Sequence, residues 1–176
     1  MNTAEQFDRL GNIPRIWVES SLDLLTASAE LRIYFEDCQR TFPFSRSFAP
    51  RLMLRAFALE CLFKAHVLLS GAKVCANGKI LSRFKEHDLT VLAKHTGILP
   101  TRAERHVLKK LSAFAIGSGR YPIWPQFDKL KRIGGSDDFR ADWGSPRDDL
   151  VFTSILKRLF KPFQDIPVDN RILEKA

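Results

Sequence analysis

The stretch that decides the fold is FAPRLMLRAFALECLFKAHVLLS, which spans residues 48–70. It mixes apolar and charged residues without the strict alternation of a β-strand, so it predicts a helix. Pro50 fits the first turn of that helix, and Gly71 fits the left-handed position that follows a last turn. We therefore expect one long helix that ends at Gly71.

The preceding segment predicts a second long helix. Apolar residues recur at helical spacing from about residue 13 to residue 37. Asn12 fits as its N-cap. The pattern breaks around Pro43, so this helix and the one over 48–70 are joined by a short connection.

A turn and a short helix follow Gly71. Asn77-Gly78 predicts a tight turn, in either a short connector or a small hairpin over residues 72–87. Asp88 can cap a short helix that ends at Gly97.

Two capping signatures predict the last two helices. Thr101 with Glu104 forms a capping box for a helix over about 102–116. Ser145-Pro146 opens another helix, which reaches about Lys161. Together these segments predict an all-α fold, an antiparallel bundle of four to five helices.

The remaining segments complete the predicted organisation. Residues 1–162 are expected to form a single helical domain, with a long loop at 123–144 before the last helix. Residues 163–176 are expected to form a loose C-terminal tail.

The composition favours a soluble protein of the cytoplasm. Of 176 residues, 45% are hydrophobic and 27% are charged, as in ordinary globular domains. No apolar run is long enough for a membrane span, and the N-terminus has no secretion signal, so we expect no membrane partner.

The cysteine and histidine spacings predict neither a metal nor a cofactor. Cys38, Cys61 and Cys75 lack CxxC spacing, and their odd number favours reduced thiols over a disulfide framework. The four histidines form no metal-binding motif, and the chain has no phosphate-binding or dinucleotide-binding loop.

The net charge of +8 and the pI near 9.7 favour an acidic partner, with RNA or a nucleotide as the first candidates. One helix concentrates this charge: five basic residues share one of its faces, whereas Val107, Leu108, Leu111 and Phe114 fall on the other. The five are Arg102, Arg105, His106, Lys109 and Lys110. This face is either an ordinary solvated surface or a contact for phosphates.

A second basic cluster falls in the long loop. Lys129, Lys131 and Arg132 stand near Trp124 and Phe127. Basic and aromatic side chains together can stack on single-stranded bases, although a loop Trp can equally cover the core.

A pair of charged residues lies within the otherwise apolar middle of the predicted 48–70 helix. Glu60 and Lys64 are four residues apart, with the acid first, which favours an ion pair along the helix. The alternatives are a pair packed against the core and a polar group that lines a pocket or an interface.

The order of three motifs resembles the HEPN superfamily of small helical domains. These motifs are ALECLFKA at 58–65, His87-Asp88-Leu89 with Leu92, and Gly119-Arg120-Tyr121-Pro122. The resemblance spans about residues 14–160. It implies a helical bundle, commonly a homodimer, that is encoded beside a nucleotidyltransferase or acts in toxin–antitoxin or antiviral defence systems. Five positions are carried over as ligand-binding residues: Glu60, Lys64, His87, Arg120 and Tyr121.

Many HEPN members are metal-independent ribonucleases whose motif is Arg, four to six residues, then His. This chain departs from that pattern, because no Arg in it is followed by a His at that separation. The nearest cases, Arg83 with His87 and Arg102 with His106, have only three residues between them. Members that resemble the branch with Arg-Tyr-Pro are usually interpreted as noncatalytic or are uncharacterised.

Three functional hypotheses follow. The first is a noncatalytic domain that binds RNA or a nucleotide, with a nucleotidyltransferase or antitoxin as partner protein. The second is a divergent ribonuclease that uses Arg102, His106 or Arg120 as catalytic residues. The third is a protein-interaction module that binds no nucleic acid.

Overall fold

The computed structural model describes residues 2–39, 48–118 and 146–167, with the side chains of 34–39, 48, 117 and 118 left out. Most of these residues are helical. The helices are α1 (Thr3–Gly11), α2 (Pro14–Gln39), α3 (Phe48–Leu69), α4 (Leu89–His95), α5 (Arg102–Ala113) and α6 (Pro146–Phe160). The shorter elements are β1 (Cys75–Ala76), β2 (Lys79–Ile80), a π turn (Phe114–Ser118) and two 3-10 turns (Ser82–Phe84 and Lys161–Phe163).

The helix predicted over 48–70 is the centre of the bundle. α3 contacts α2, α4, α5, α6 and the π turn. Apolar side chains on several sides of α3 are buried, which explains why a helix with so little amphipathic character is stable here. The fully buried ones are Ala56, Ala58, Leu59, Leu62 and Ala65. A leucine that leaves water in this way contributes about 1.5–3 kcal/mol.

Side-chain contacts fix the direction of the neighbouring helices. Trp17 near the start of α2 meets Lys64 near the end of α3, whereas Ser28 further along α2 bonds the carbonyl of Arg51 near the start of α3. These two helices are therefore antiparallel.

α5 and α6 are antiparallel as well. Glu104 at the start of α5 pairs with Arg158 at the end of α6, and Lys110 near the end of α5 pairs with Asp148 at the start of α6. The predicted all-α bundle is confirmed.

The predicted helix boundaries are largely confirmed. Asp88 accepts hydrogen bonds from the backbone of Thr90 and Val91, and so caps α4. Thr101 and Glu104 form the capping box of α5. Gly71 and Gly97 both have positive φ, at 83° and 72°, as expected of residues that follow a helix.

The turn at Asn77-Gly78 joins β1 and β2 in a small antiparallel hairpin. Both residues have positive φ, at 56° and 70°, which matches the type I′ geometry that an Asn-Gly pair favours. Of the two alternatives for residues 72–87, the hairpin is confirmed.

The N-terminal prediction was wrong in two respects. α1 was missed, and Asn12 is the C-cap of α1, not the N-cap of α2. The Asn12 amide instead binds the hairpin: Oδ1 accepts from the backbone N–H of Val74 and Cys75, and Nδ2 donates to the carbonyls of Asp8 and Cys75. α1 does carry local sequence signals, an amphipathic pattern and a capping box of Asn2 and Glu5. The bonds from Asn12 to residues 74 and 75 join distant parts of the chain and leave no local signal.

The predicted tail boundary at residue 163 lies too early. After α6, the 3-10 turn places Phe163 in the core, and Ile166 is buried behind it. The packed region therefore extends at least to residue 166. Residues 168–176 and the predicted loop at 123–144 lie outside the described residues.

Candidate functional site

Glu60 is the centre of a charged cluster on α3. Its Oε1 accepts a hydrogen bond from Nζ of Lys64 at 2.6 Å, one turn further along the helix. Its Oε2 lies 2.9 Å from Nδ1 of His87, in the loop that leads into α4. The fold thus brings together three residues that the HEPN resemblance had suggested.

Aromatic side chains surround this cluster. Nζ of Lys64 lies 4.9 Å from the centre of the Trp17 ring, and the His87 ring is tilted against Phe57 at 5.9 Å between centroids. Glu60 and Lys64 are 8% and 4% exposed. The predicted ion pair is present and buried, so its first role is to neutralise two charges inside the bundle.

His87 is the part of the cluster that reaches the surface, since its side chain is 34% exposed. An ionised carboxylate has no proton to give, so Nδ1 of His87 donates to Glu60. This bond fixes the tautomer and the orientation of the imidazole. The arrangement therefore holds a partly exposed imidazole in one orientation.

Burial shifts the pKa of two other titratable groups on α3. Burial raises the pKa of the Cys61 thiol to about 11, so Cys61 remains protonated. Burial also lowers the pKa of His66. The neutral imidazole donates from Nε2 to the carbonyl of Leu159 at 2.8 Å, which ties α3 to α6.

Four basic side chains are exposed along α5: Arg102, Arg105, His106 and Lys109. We call these four residues the basic face. Within the described part of the chain, none of them forms an ion pair with a carboxylate. The opposite side of α5 is buried, so the predicted division of this helix is confirmed for these four residues.

The prediction that Lys110 belongs to the exposed basic side of α5 was wrong. It is only 7% exposed, and its Nζ lies 2.9 Å from Oδ2 of Asp148 in the first turn of α6. The residue sits where the basic side of α5 meets α6, and the ion pair neutralises it. A helical wheel of α5 could not show that a carboxylate from another helix would lie there.

An open groove of about 570 Å³ lies between α5 and α6. It is lined by Arg102, Ala103, His106, Lys110, Arg147, Asp148 and Val151. We call it the α5–α6 groove. Arg147 is exposed and was missed in the sequence, because it looked like an ordinary residue of a capped first turn. Only the packing of α6 against α5 places it in the same groove as Arg102 and His106.

A second charged cluster lies deeper, between α3 and α6. Arg55 is buried, donates to Oδ1 of Asp149 at 2.5 Å, and stacks over the Phe152 ring at 4.6 Å. Arg51 lies 3.6 Å from the same carboxylate oxygen. Burial lowers the pKa of Arg55, and Asp149 opposes that effect. The only sequence signal was a pair of arginines four residues apart in an apolar helix.

Five predicted site residues lie outside the described part of the chain, so the structure does not bear on their roles. They are Arg120, Tyr121, Lys129, Lys131 and Arg132.

Neither a metal centre nor a membrane span is found in the described ranges. Within residues 2–39, 48–118 and 146–167, no group of three His, Cys, Asp or Glu side chains is arranged to hold a metal ion. Among the same residues, no helix has both the length and the apolarity of a membrane span. Comparison with family models, curated proteins and solved structures found no match to this chain. The fold class is thus a helical bundle without a demonstrated family.

Proposed function

We propose that this protein is a HEPN-like helical domain that binds RNA through the basic face of α5, without cleaving it. The observation that carries the proposal is the exposure of Arg102, Arg105, His106 and Lys109 on one side of a single helix. The buried opposite side anchors that helix in the bundle, so these side chains start from a rigid support.

The chemistry of these side chains suits a phosphate backbone. Arg and Lys supply charge-assisted hydrogen bonds to phosphate oxygens, and each neutralised phosphate releases bound counterions. The whole chain carries a net charge of +8, which adds long-range attraction for a polyanion. Contacts of this kind bind RNA with little preference for sequence.

The proposal also includes features that rest on the HEPN resemblance alone. These are a homodimeric state, a partner nucleotidyltransferase or antitoxin, and a role in defence or toxin–antitoxin biology. The proposed cytoplasmic location rests instead on the composition of the chain. Size measurement by light scattering tests the dimer, since a mass near 40 kDa is expected for two chains of 20.1 kDa. A mass near 20 kDa at micromolar concentration would remove the dimer from the proposal.

A matched pair of variants tests RNA binding. Arg105→Gln/Lys109→Gln removes two charges from the basic face, and Arg9→Gln/Lys79→Gln removes two exposed charges from α1 and β2. We expect the first variant to bind a fluorescent single-stranded RNA about tenfold more weakly or worse, which is about 1.4 kcal/mol. The control should stay within about twofold. Equal losses in both variants, or no binding by the wild type at low salt, would refute the proposal.

One observation supports a second candidate, the divergent ribonuclease. Arg102 and His106 are one turn apart and line the same groove. There, His106 would accept the proton of a ribose 2′-hydroxyl, whose oxygen would bond to the adjacent phosphorus to give a 2′,3′-cyclic phosphate. The P–O5′ bond would break, the leaving 5′-oxygen would take a proton from water, and Arg102 would stabilise the charge on the attacked phosphate. Cleavage in the presence of EDTA that His106→Ala abolishes would establish this activity. RNA that stays intact, or cleavage that His106→Ala leaves unchanged, would reject it.

A further inference from the structure

The α5–α6 groove is closed at its inner end by an ion pair. Lys110 and Asp148, 2.9 Å apart, line both the groove and a small cavity of about 20 Å³ behind it. Arg55, Asp149 and Phe152 line the far side of that cavity, which has room for one water molecule. The ion pair therefore separates the groove from the core, and a continuous strand has no exit in that direction.

The open part of the groove is rich in positive charge. Arg102 and His106 come from α5, and Arg147 comes from the first turn of α6. All three are exposed, whereas the one carboxylate of the lining, Asp148, is already paired with Lys110. The first-turn N–H groups of a 15-residue helix add partial positive charge at the Arg147 end, although Asp148 and Asp149 offset part of it.

The size of the groove suits a single small ligand. Its volume of about 570 Å³ lies within the range of sites that hold one cofactor or substrate. Ala103 and Val151 give the wall a small apolar surface beside the cations. A groove of this volume can hold the end of a chain or a free mononucleotide.

We propose that the α5–α6 groove binds a terminal phosphate, a phosphomonoester held by Arg102, His106 and Arg147. A monoester carries about −1.5 to −2 charges at neutral pH, against −1 for an internal phosphodiester, so three basic side chains that line one groove favour the end of the chain. The same chemistry occurs at a phosphorylated RNA end and in a free mononucleotide. This inference rests on the proposed RNA-binding function and adds which part of the RNA the groove selects.

The ion pair at the inner end contributes to this selectivity. Asp148 repels any phosphate that approaches Lys110, so the ligand is held by the other cations of the lining, Arg102, His106 and Arg147. Lys110 remains paired with Asp148 and holds this wall of the groove in place. The two residues of the basic face that do not line the groove, Arg105 and Lys109, contact the rest of the RNA strand.

The test compares three RNAs of one sequence, with a 5′-phosphate, a 3′-phosphate or hydroxyl groups at both ends. We expect the wild-type protein to bind one phosphorylated RNA at least fivefold more tightly than the hydroxyl RNA. Arg147→Gln should bring the ratio of the two affinities to about one, and it should change binding of the hydroxyl RNA by less than twofold. Arg105→Gln/Lys109→Gln should weaken all three RNAs and preserve the ratio.

The outcomes separate this inference from the proposed function. Equal binding of the three RNAs would refute the terminal-phosphate site and leave backbone binding intact. If no RNA binds, backbone binding fails, and titration with adenosine monophosphate, followed by NMR, tests the groove alone. Shifts at Arg102, His106 and Arg147 that adenosine does not produce would support the site, and their absence would refute it.

Discussion

Oε2 of Glu60 lies 2.9 Å from Nδ1 of His87, although the two residues are 27 positions apart. The carboxylate also holds Lys64, so one acid joins α3 to the loop before α4 and neutralises a buried ammonium. Stability and the orientation of His87 depend on the same side chain.

Removal of the Glu60 carboxylate should therefore lower the free energy of unfolding strongly. Glu60→Ala leaves Lys64 buried without its partner, and we expect a loss of about 3–5 kcal/mol in the free energy of unfolding. Glu60→Met/Lys64→Met removes both charges and should be clearly more stable than the single variant. Urea unfolding followed by circular dichroism measures both, and a double variant no more stable than Glu60→Ala would contradict this account.

The pKa of His66 makes stability depend on pH. Burial lowers this pKa in the folded protein, so the unfolded chain binds the proton more readily. The contribution of His66 is fully present above its unfolded pKa, near 6.5, and is lost as the pH falls below that value. We expect the free energy of unfolding to decrease from pH 7.5 to pH 5.5.

His66→Gln provides the control for that prediction. A glutamine amide can still donate to the carbonyl of Leu159 but does not titrate. The decrease between pH 7.5 and pH 5.5 should be smaller in this variant than in the wild type. Identical pH profiles would show that His66 is not the titrating group.

The close approach of Gly11 to Cys75 leaves no room for a side chain. A Cβ at position 11 would stand 2.3 Å from Sγ of Cys75, well inside contact distance. Gly11→Ala should cost about 1–3 kcal/mol in the free energy of unfolding. Cys75→Ala in the same chain should restore part of that loss, and a Gly11→Ala protein as stable as the wild type would contradict the packing.

Cys61 should react slowly with alkylating agents. With a pKa of about 11 in place of 9.0, its thiolate fraction at pH 8 is lower by about a hundredfold. Iodoacetamide labelling of the folded protein, with peptide mapping by mass spectrometry, should leave the peptide with Cys61 largely unmodified. The same peptide should react readily in urea. Rapid labelling in the folded state would disprove the raised pKa.

Local rules made most of the fold predictable. Helix caps and turn residues such as Asp88, Thr101 and Asn77 act within a few positions, so the sequence alone identifies them. α1 also has a local signal, the capping box of Asn2 and Glu5, but its attachment to the hairpin uses long-range bonds from Asn12 to residues 74 and 75. Such bonds leave no periodic trace.

The candidate site was predictable only in part, for the same reason. The exposed side of α5 follows from helical spacing, but the neutralisation of Lys110 depends on Asp148, which belongs to another helix. The groove likewise needs Arg147, whose neighbours are set by the packing of α6 on α5. The sequence patterns therefore did not predict the contacts between helices.

The salt dependence of RNA binding tests the central claim most directly. The logarithm of the binding constant for single-stranded RNA falls with the logarithm of the salt concentration, with a slope of about −0.7 per neutralised phosphate. Arg105→Gln/Lys109→Gln should make that slope shallower by about 1.4, whereas Arg9→Gln/Lys79→Gln should leave it unchanged. If the wild type and both variants share one slope, the basic face of α5 does not contact the phosphates, and the account is wrong.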